Sequence, residues 1–161
     1  MNSQDLLAYL DVPFSFQKRP NPLSPQYRVI WGLSILVLIL EVGSNRKSSS
    51  IKRLHLLNWA IKSDENQQQM SKLIENRSSI VSEFIKYDPA FTRAIEYAIA
   101  DELVEMKNNK KNKPLCLIEK GTKLVKEIIA VKSCLEDEKT FLRQKGKLIT
   151  NELAESLFKL S

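Results

Sequence analysis

The side chains able to do chemistry in this 161-residue chain are few and far apart. His55, the single histidine, stands between Leu54 and Leu56. An imidazole can act as a general base near neutral pH, but these neighbours put it on a helix, as a surface or half-buried structural residue. Cys116 lies in Leu115-Cys116-Leu117-Ile118. A thiol becomes a nucleophile only beside a base that deprotonates it; none is evident here, so Cys116 reads as an inert core thiol. Asp101-Glu102 and Glu136-Asp137-Glu138 fit exposed helix ends better than an acid/base pair. There is no metal-ligand spacing, no phosphate-cradling Gly-rich loop and no H-E-x-x-H. The chain is therefore expected not to be an enzyme, with no catalytic residue, metal, cofactor or small-molecule substrate.

Charge is the second chemical resource. The net value is +6, from 25 Lys and Arg against 19 Asp and Glu, with a pI near 9.3. Residues 46–62 carry five bases (Arg46, Lys47, Lys52, Arg53, Lys62) and no acid; 63–106 carry nine acids against four bases; 107–132 carry eight Lys against Glu119 and Glu127. Two basic segments thus flank an acidic one. Such a pattern fits a solvated surface of uneven charge or a surface facing a polyanion.

These groups must be carried by a mostly helical frame. Four Gly and six Pro are too few for the many turns of an all-β sandwich or barrel, and a chain this long can withdraw ~68–70 % of its unfolded surface from water without disulfides or metal. Val29 to Leu40 is uncharged but has only 12 residues, where a bilayer span needs ~20, so it predicts a buried helix and not a membrane anchor. Met1 is followed by Asn, Ser, Gln and Asp, which is not the basic start of a secretory leader. Two cysteines without framework spacing fit a reducing, cytoplasmic setting.

Along the chain, residues 1–24 hold Pro13, Pro20 and Pro22 with Phe14, Phe16, Lys18 and Arg19. Beyond a short helix at Gln4–Leu10 they predict an extended arm whose aromatics dock on the chain's own core or on a partner. Ser24-Pro25 is a helix start, opening a helix to Gly43. A polar, basic loop Ser44–Ser50 follows, then a helix Ser50–Lys62 with Leu54, Leu57 and Ile61 on one face. Asp64 with Gln67 resembles a capping box for a helix Glu65–Asn76. Asp88-Pro89 opens another helix, through Phe91, Ala94, Ile95, Ala98 and Ile99. Leu103–Met106 and Leu115–Ile118, joined by the Lys-rich turn Lys107–Lys113, read as a β-hairpin. Gly121 is expected to supply backbone angles that a side chain would forbid, and a helix with Leu124, Val125, Ile128 and Ile129 follows. A last amphipathic helix or pair spans Glu136–Leu160.

Helix, strand, basic turn, strand, then Glu-Lys-Gly and a helix is the order of a winged helix. The expected fold is mainly α with a small β-hairpin: a winged-helix-like unit at 25–132 (helix-turn-helix core plus two-stranded wing), the arm at 1–24 and a C-terminal helical extension at 133–161. Lys107, Lys110, Lys111 and Lys113 at the wing tip suit non-specific phosphate contact, with Arg46, Lys47, Lys52 and Arg53 as further candidates. The helix before the wing is acidic (Asp88, Glu96, Asp101, Glu102 and Glu105 against Arg93), which points to protein contact or packing and away from a DNA groove.

The string Arg19-Pro20-Asn21-Pro22-Leu23-Ser24-Pro25-Gln26-Tyr27-Arg28-Val29-Ile30-Trp31-Gly32-Leu33, then Leu54-His55-Leu56-Leu57-Asn58-Trp59-Ala60 and Tyr87-Asp88-Pro89-Ala90-Phe91 through Gly121, resembles the small middle components of bacterial ABC-three-component systems, Lamassu-type antiphage systems among them. The resemblance implies a non-catalytic subunit linking an SMC- or Rad50-like ATPase to a nuclease effector, with possible direct contact to DNA. Phe14, Phe16 and Arg19 are then the candidate protein-interface residues of the arm. A stand-alone winged-helix DNA-binding regulator is the alternative.

Overall fold

The structure, a computed structural model, describes residues 28–76, 85–109 and 113–159. The elements are α1 (Val29–Glu41), a 3-10 turn (Asn45–Lys47), β1 (Ser48–Ser49), α2 (Ile51–Ile61), α3 (Asp64–Glu75), α4 (Pro89–Ala100), β2 (Val104–Met106), β3 (Leu115–Leu117), α5 (Glu119–Ala130), α6 (Glu136–Lys145), a second 3-10 turn (Gly146–Leu148) and α7 (Asn151–Lys159). The described residues are mainly helical, with a small antiparallel sheet in the order β1-β3-β2. No helix among the described residues is long and apolar enough to cross a membrane.

Helix α1 has no polar face, and the core forms around it: Ile35 through Leu40 are fully buried. A helix apolar on every side is stable only when covered, and α4, α5, α2 and α6 supply the cover, leaving Ile30 in the first turn 78 % exposed. The closest approach is at Gly32, where a Cβ would lie 2.7 Å from the Ala94 Cβ of α4. The helix begins at Val29, after an extended Arg28; the expected start at Ser24-Pro25 lies outside the described residues.

The second helix is also buried nearly all round. Ser50 caps it, accepting from the Arg53 N–H at 3.3 Å. Beside the expected Leu54–Leu57–Ile61 face, a second stripe, Arg53–Leu56–Ala60, is buried as well. In α3 the cap is Ser63, which accepts from the Asn66 N–H at 3.2 Å, one residue before the expected capping box. Asp88 caps α4 through the Ala90 N–H at 2.9 Å, with Pro89 in the first turn, as the sequence predicts.

Helix α4 ends in a Schellman turn: Leu103 N–H donates to Ala98 O and Glu102 N–H to Ile99 O, with Glu102 left-handed at φ 55°. The chain then enters the expected hairpin. Val104 pairs with Leu117, Glu105 with Cys116 and Met106 with Leu115, and Lys107 N–H donates to Pro114 O at 2.9 Å. The sheet has a third strand within the segment Ser44–Ser50, whose polar, basic composition predicts a loop: Ser48 and Ser49 pair with Cys116 and Leu115. A two-residue serine strand has no alternation to read; only its partner strand defines it.

Gly121 has an ordinary helical backbone, contrary to expectation; no glycine of the described residues has a positive φ. Its role is close approach. A Cβ there would stand 2.2 Å from the Leu103 carbonyl oxygen and 2.6 Å from Leu117 Cδ1, so α5 can lie against the sheet only if residue 121 has no side chain.

The C-terminal segment packs on the chain's own core. Phe141, Leu142, Ile149 and Ala154 join the same buried cluster as α1 and α2, and α7 lies along α2. Tyr87 stacks on Phe158 with centroids 4.9 Å apart.

Candidate functional site

The basic residues singled out by sequence separate into distinct groups. The register of the sheet puts Lys107 and Lys113 at the hairpin turn, and both are exposed. Arg46 and Lys47 run off the opposite end of the sheet, where β3 leaves for α5, because Ser48 sits opposite Cys116. Lys47 pairs with Glu41 at 2.9 Å and Lys52 with Glu155 at 2.8 Å; the latter hydrogen bond raises the Lys52 pKa. Arg46 is exposed at a left-handed φ of 54°. Lys107 lies 3.9 Å from Glu105, a surface pair of little energetic weight. Lys110 and Lys111 lie outside the described residues, as do Phe14, Phe16 and Arg19.

Arg53 leaves the set of phosphate candidates. It is 5 % exposed, and its five N–H donors are all taken. Nε donates to Ile149 O (2.5 Å), Nη1 to Ser44 Oγ (2.7 Å) and Ser49 Oγ (3.0 Å), and Nη2 to Gly43 O (2.5 Å) and Gly146 O (2.9 Å). A buried charge must replace the water it loses, and three carbonyls and two hydroxyls do so here without a carboxylate. Burial still pulls its pKa down to about 10. The two glycines make the geometry possible: a Cβ on Gly146 would lie 2.7 Å from Gly43 Cα, so only bare backbones bring both carbonyls to one guanidinium. Arg53 ties the end of α1, strand β1 and the C-terminal segment to α2.

His55 is 2 % exposed, buried more deeply than the sequence suggests. Its ring is edge-on to Tyr87 (4.8 Å) and Phe91 (5.3 Å). Nδ1 accepts from the Asp88 N–H at 3.3 Å, so the proton sits on Nε2, which faces Thr92 Oγ1 at 3.5 Å; that hydroxyl donates to Asp88 O at 3.0 Å. Burial lowers the His55 pKa to about 4, with Asp88 opposing the shift and Lys62 adding to it. Asp88 itself is pushed up by burial, but the Lys62 hydrogen bond and charge, the Ala90 N–H and the Asn58 amide outweigh this and hold it below the usual carboxylate value. His55 is thus a neutral strut beneath the start of α4.

Cys116 Sγ donates to Ser48 Oγ at 3.2 Å across the β1–β3 pair, and is buried. Lys139 is fully buried; its ammonium donates to Val131 O (2.8 Å) and Glu136 Oε1 (3.3 Å). Its spacing from Glu136 is visible in the sequence, but its burial depends on the turn before α6. No group of three or more His, Cys, Asp or Glu among the described residues could hold a metal ion.

What α4 turns outward is a different surface. Its exposed face carries Arg93, Glu96 and Tyr97, the last 58 % exposed, and Ile99 lies half-open beside it. Asp101 and Glu102 extend the face at the helix end, Asp101 in an ion pair with Lys120 at 2.8 Å.

Compared with protein-family models, with curated proteins and with solved structures, the chain matches none.

Proposed function

We propose that this chain is a non-catalytic bridging subunit of a cytoplasmic, Lamassu-like defence complex, joining an SMC- or Rad50-like ATPase to a nuclease effector. The observation that carries the reading is the outward face of α4, where Tyr97, 58 % exposed, stands among Arg93, Glu96 and Asp101. On the helix that would enter a DNA groove in a winged-helix reader, an exposed aromatic with two acids and one base around it supports a protein partner. The sheet order β1-β3-β2, with β1 between α1 and α2 and the hairpin directly after α4, supports a winged-helix-like arrangement. The internal use of His55, Cys116 and Arg53 supports a role without catalysis, since each is spent on holding the fold.

Co-expression with the neighbouring ATPase and effector tests this. One complex on size exclusion is expected, weakened by Tyr97→Asp. Elution of the chain alone in every buffer overturns the reading.

The exposed Lys107 and Lys113 on the hairpin turn favour a second reading, a stand-alone winged-helix DNA-binding regulator. It requires tighter binding to one DNA sequence than to random DNA at physiological salt. A gel shift that finds equal or no binding to the two removes it.

A further inference from the structure

Residues 42–53 carry Arg46, Lys47, Lys52 and Arg53 and no acid; residues 139–151 carry Lys139, Arg143, Lys145 and Lys147 and again no acid. The fold brings these two distant basic stretches together. Gly43 and Gly146 stand backbone to backbone, and a Cβ on Gly43 would lie 3.0 Å from Leu142 Cδ2 of α6. Like charges repel, so such a meeting costs stability unless something answers it. Half of the charge is answered within the chain: Lys47 by Glu41 (2.9 Å), Lys52 by Glu155 (2.8 Å), Lys139 by Glu136 (3.3 Å) and Lys145 by Glu75 (4.0 Å). The other half is not. Arg46, Arg143 and Lys147 are exposed, and no carboxylate of the described residues pairs with them. Arg53 holds only neutral oxygens.

The loop that displays Arg46 is held in a strained shape. Arg46 and Lys47 are both left-handed, at φ 54°, a region that side chains disfavour. Arg53 grips the loop at both ends, Nη1 donating to Ser44 Oγ and Ser49 Oγ, while Nη2 joins Gly43 O to Gly146 O. One buried charge thus fixes the loop, ties it to the end of α6 and lies beneath the exposed bases. Out of water its field is screened less than theirs. Arg143 stands three residues before Gly146, on the same side of α6. It does not line the polar groove of about 610 Å³ between α6 and α3.

A ligand with several regularly spaced negative charges answers such a surface. Two of the three free side chains are Arg, whose planar forks match phosphate oxygens. The only aromatic of the two stretches, Phe141, is 6 % exposed, so no ring is offered on which the bases of a single strand could stack. Leu148 is their one exposed large apolar side chain, whereas the centre of a protein interface is apolar and poor in charge.

We propose that the junction of Gly43 and Gly146 docks the phosphodiester backbone of a nucleic-acid duplex without sequence preference, with Arg46, Arg143 and Lys147 as the phosphate contacts and Arg53 as the clamp beneath them. This surface is separate from the α4 face and from the hairpin, and it does not depend on the bridging reading.

Fluorescence anisotropy of the full chain with short labelled DNA and RNA duplexes of random sequence, across a range of salt concentrations, tests this. Binding that tightens as salt falls is expected, and the tighter duplex identifies the source of the backbone. Arg46→Glu with Arg143→Glu and Lys147→Glu should raise the Kd about tenfold or more and flatten the slope of log Kd against log salt by about 3, since each phosphate contact contributes ~0.9. Arg143→Glu with Lys147→Glu, which leaves the strained loop untouched, should flatten it by about 2. Circular dichroism checks that each variant keeps its fold. An unchanged Kd and slope in both variants overturns the proposal, as does the absence of binding to either duplex at low salt. A loss seen only with Lys107→Glu and Lys113→Glu moves the contact to the hairpin and overturns it too. The bridging reading stands or falls separately, on co-expression.

Discussion

Arg53 and His55 are polar side chains held almost entirely out of water, and each is satisfied in its own way. Arg53 stays charged and takes five oxygens as its solvent. His55 gives up its charge. The fold binds the neutral ring, with a pKa near 4 against the ordinary 6.5, so below pH 6.5 the unfolded chain takes up a proton that the folded chain refuses. The stability this contributes is complete above pH 6.5 and is lost as the pH falls toward 4, by about 3 kcal/mol at most, at 1.36 kcal/mol per pH unit. Asp88, depressed in the fold, loses its contribution only further down, as the pH falls below the ordinary 3.8. Urea unfolding of the native chain and of His55→Gln between pH 4 and 7 checks this: the native slope should flatten in the variant, and equal slopes would show that His55 does not titrate as described. Residue types were legible in the sequence, but their partners were not. Arg53 reads as a surface base beside Lys52, and only its place on the Arg53–Leu56–Ala60 stripe hints otherwise.

At the scale of elements, caps and apolar spacing were strong signals. Asp88-Pro89 starts α4, Ser50 starts α2, and the two hairpin strands fall within a residue of where two short apolar runs around the Lys-rich turn put them. Elements defined by a neighbour were not legible: β1 is two serines, and Gly121 is needed because of Leu103, eighteen positions away in sequence. Gly121→Ala should therefore destabilise by about 1–3 kcal/mol, the cost of overpacking, despite the gain of ~1 kcal/mol in helix propensity. The check is a lower urea midpoint at unchanged m. A stabilised variant would mean that α5 can move off the sheet freely. The polar stripes of α3 and α6 have helical spacing too, but any solvated helix face carries polar residues at that spacing.

For the whole molecule, the C-terminal segment decides how far the chain is one unit. It supplies two of the five acceptors of Arg53, through Gly146 O and Ile149 O, and adds Lys52–Glu155 and a 2.8 Å bond from Ser50 Oγ to Asn151 Oδ1. A chain ending at Lys145 leaves buried donors unpaired, each worth about 1–3 kcal/mol or more for a charged group. It should melt at a markedly lower temperature, with a broadened transition by circular dichroism. An unchanged melt would make residues 146–161 a dispensable extension.

By itself the sequence determined the helical class, the buried α1, the hairpin and the uneven charge, because these depend on composition and on periods repeated within a few residues. Tertiary structure alone decided that Arg53 is interior, that Gly43 and Gly146 touch, that two serines form a strand, and that α3 and α6 share a groove. Each of these is a contact between segments tens of residues apart, and no local spacing encodes which distant backbone will supply the missing partner.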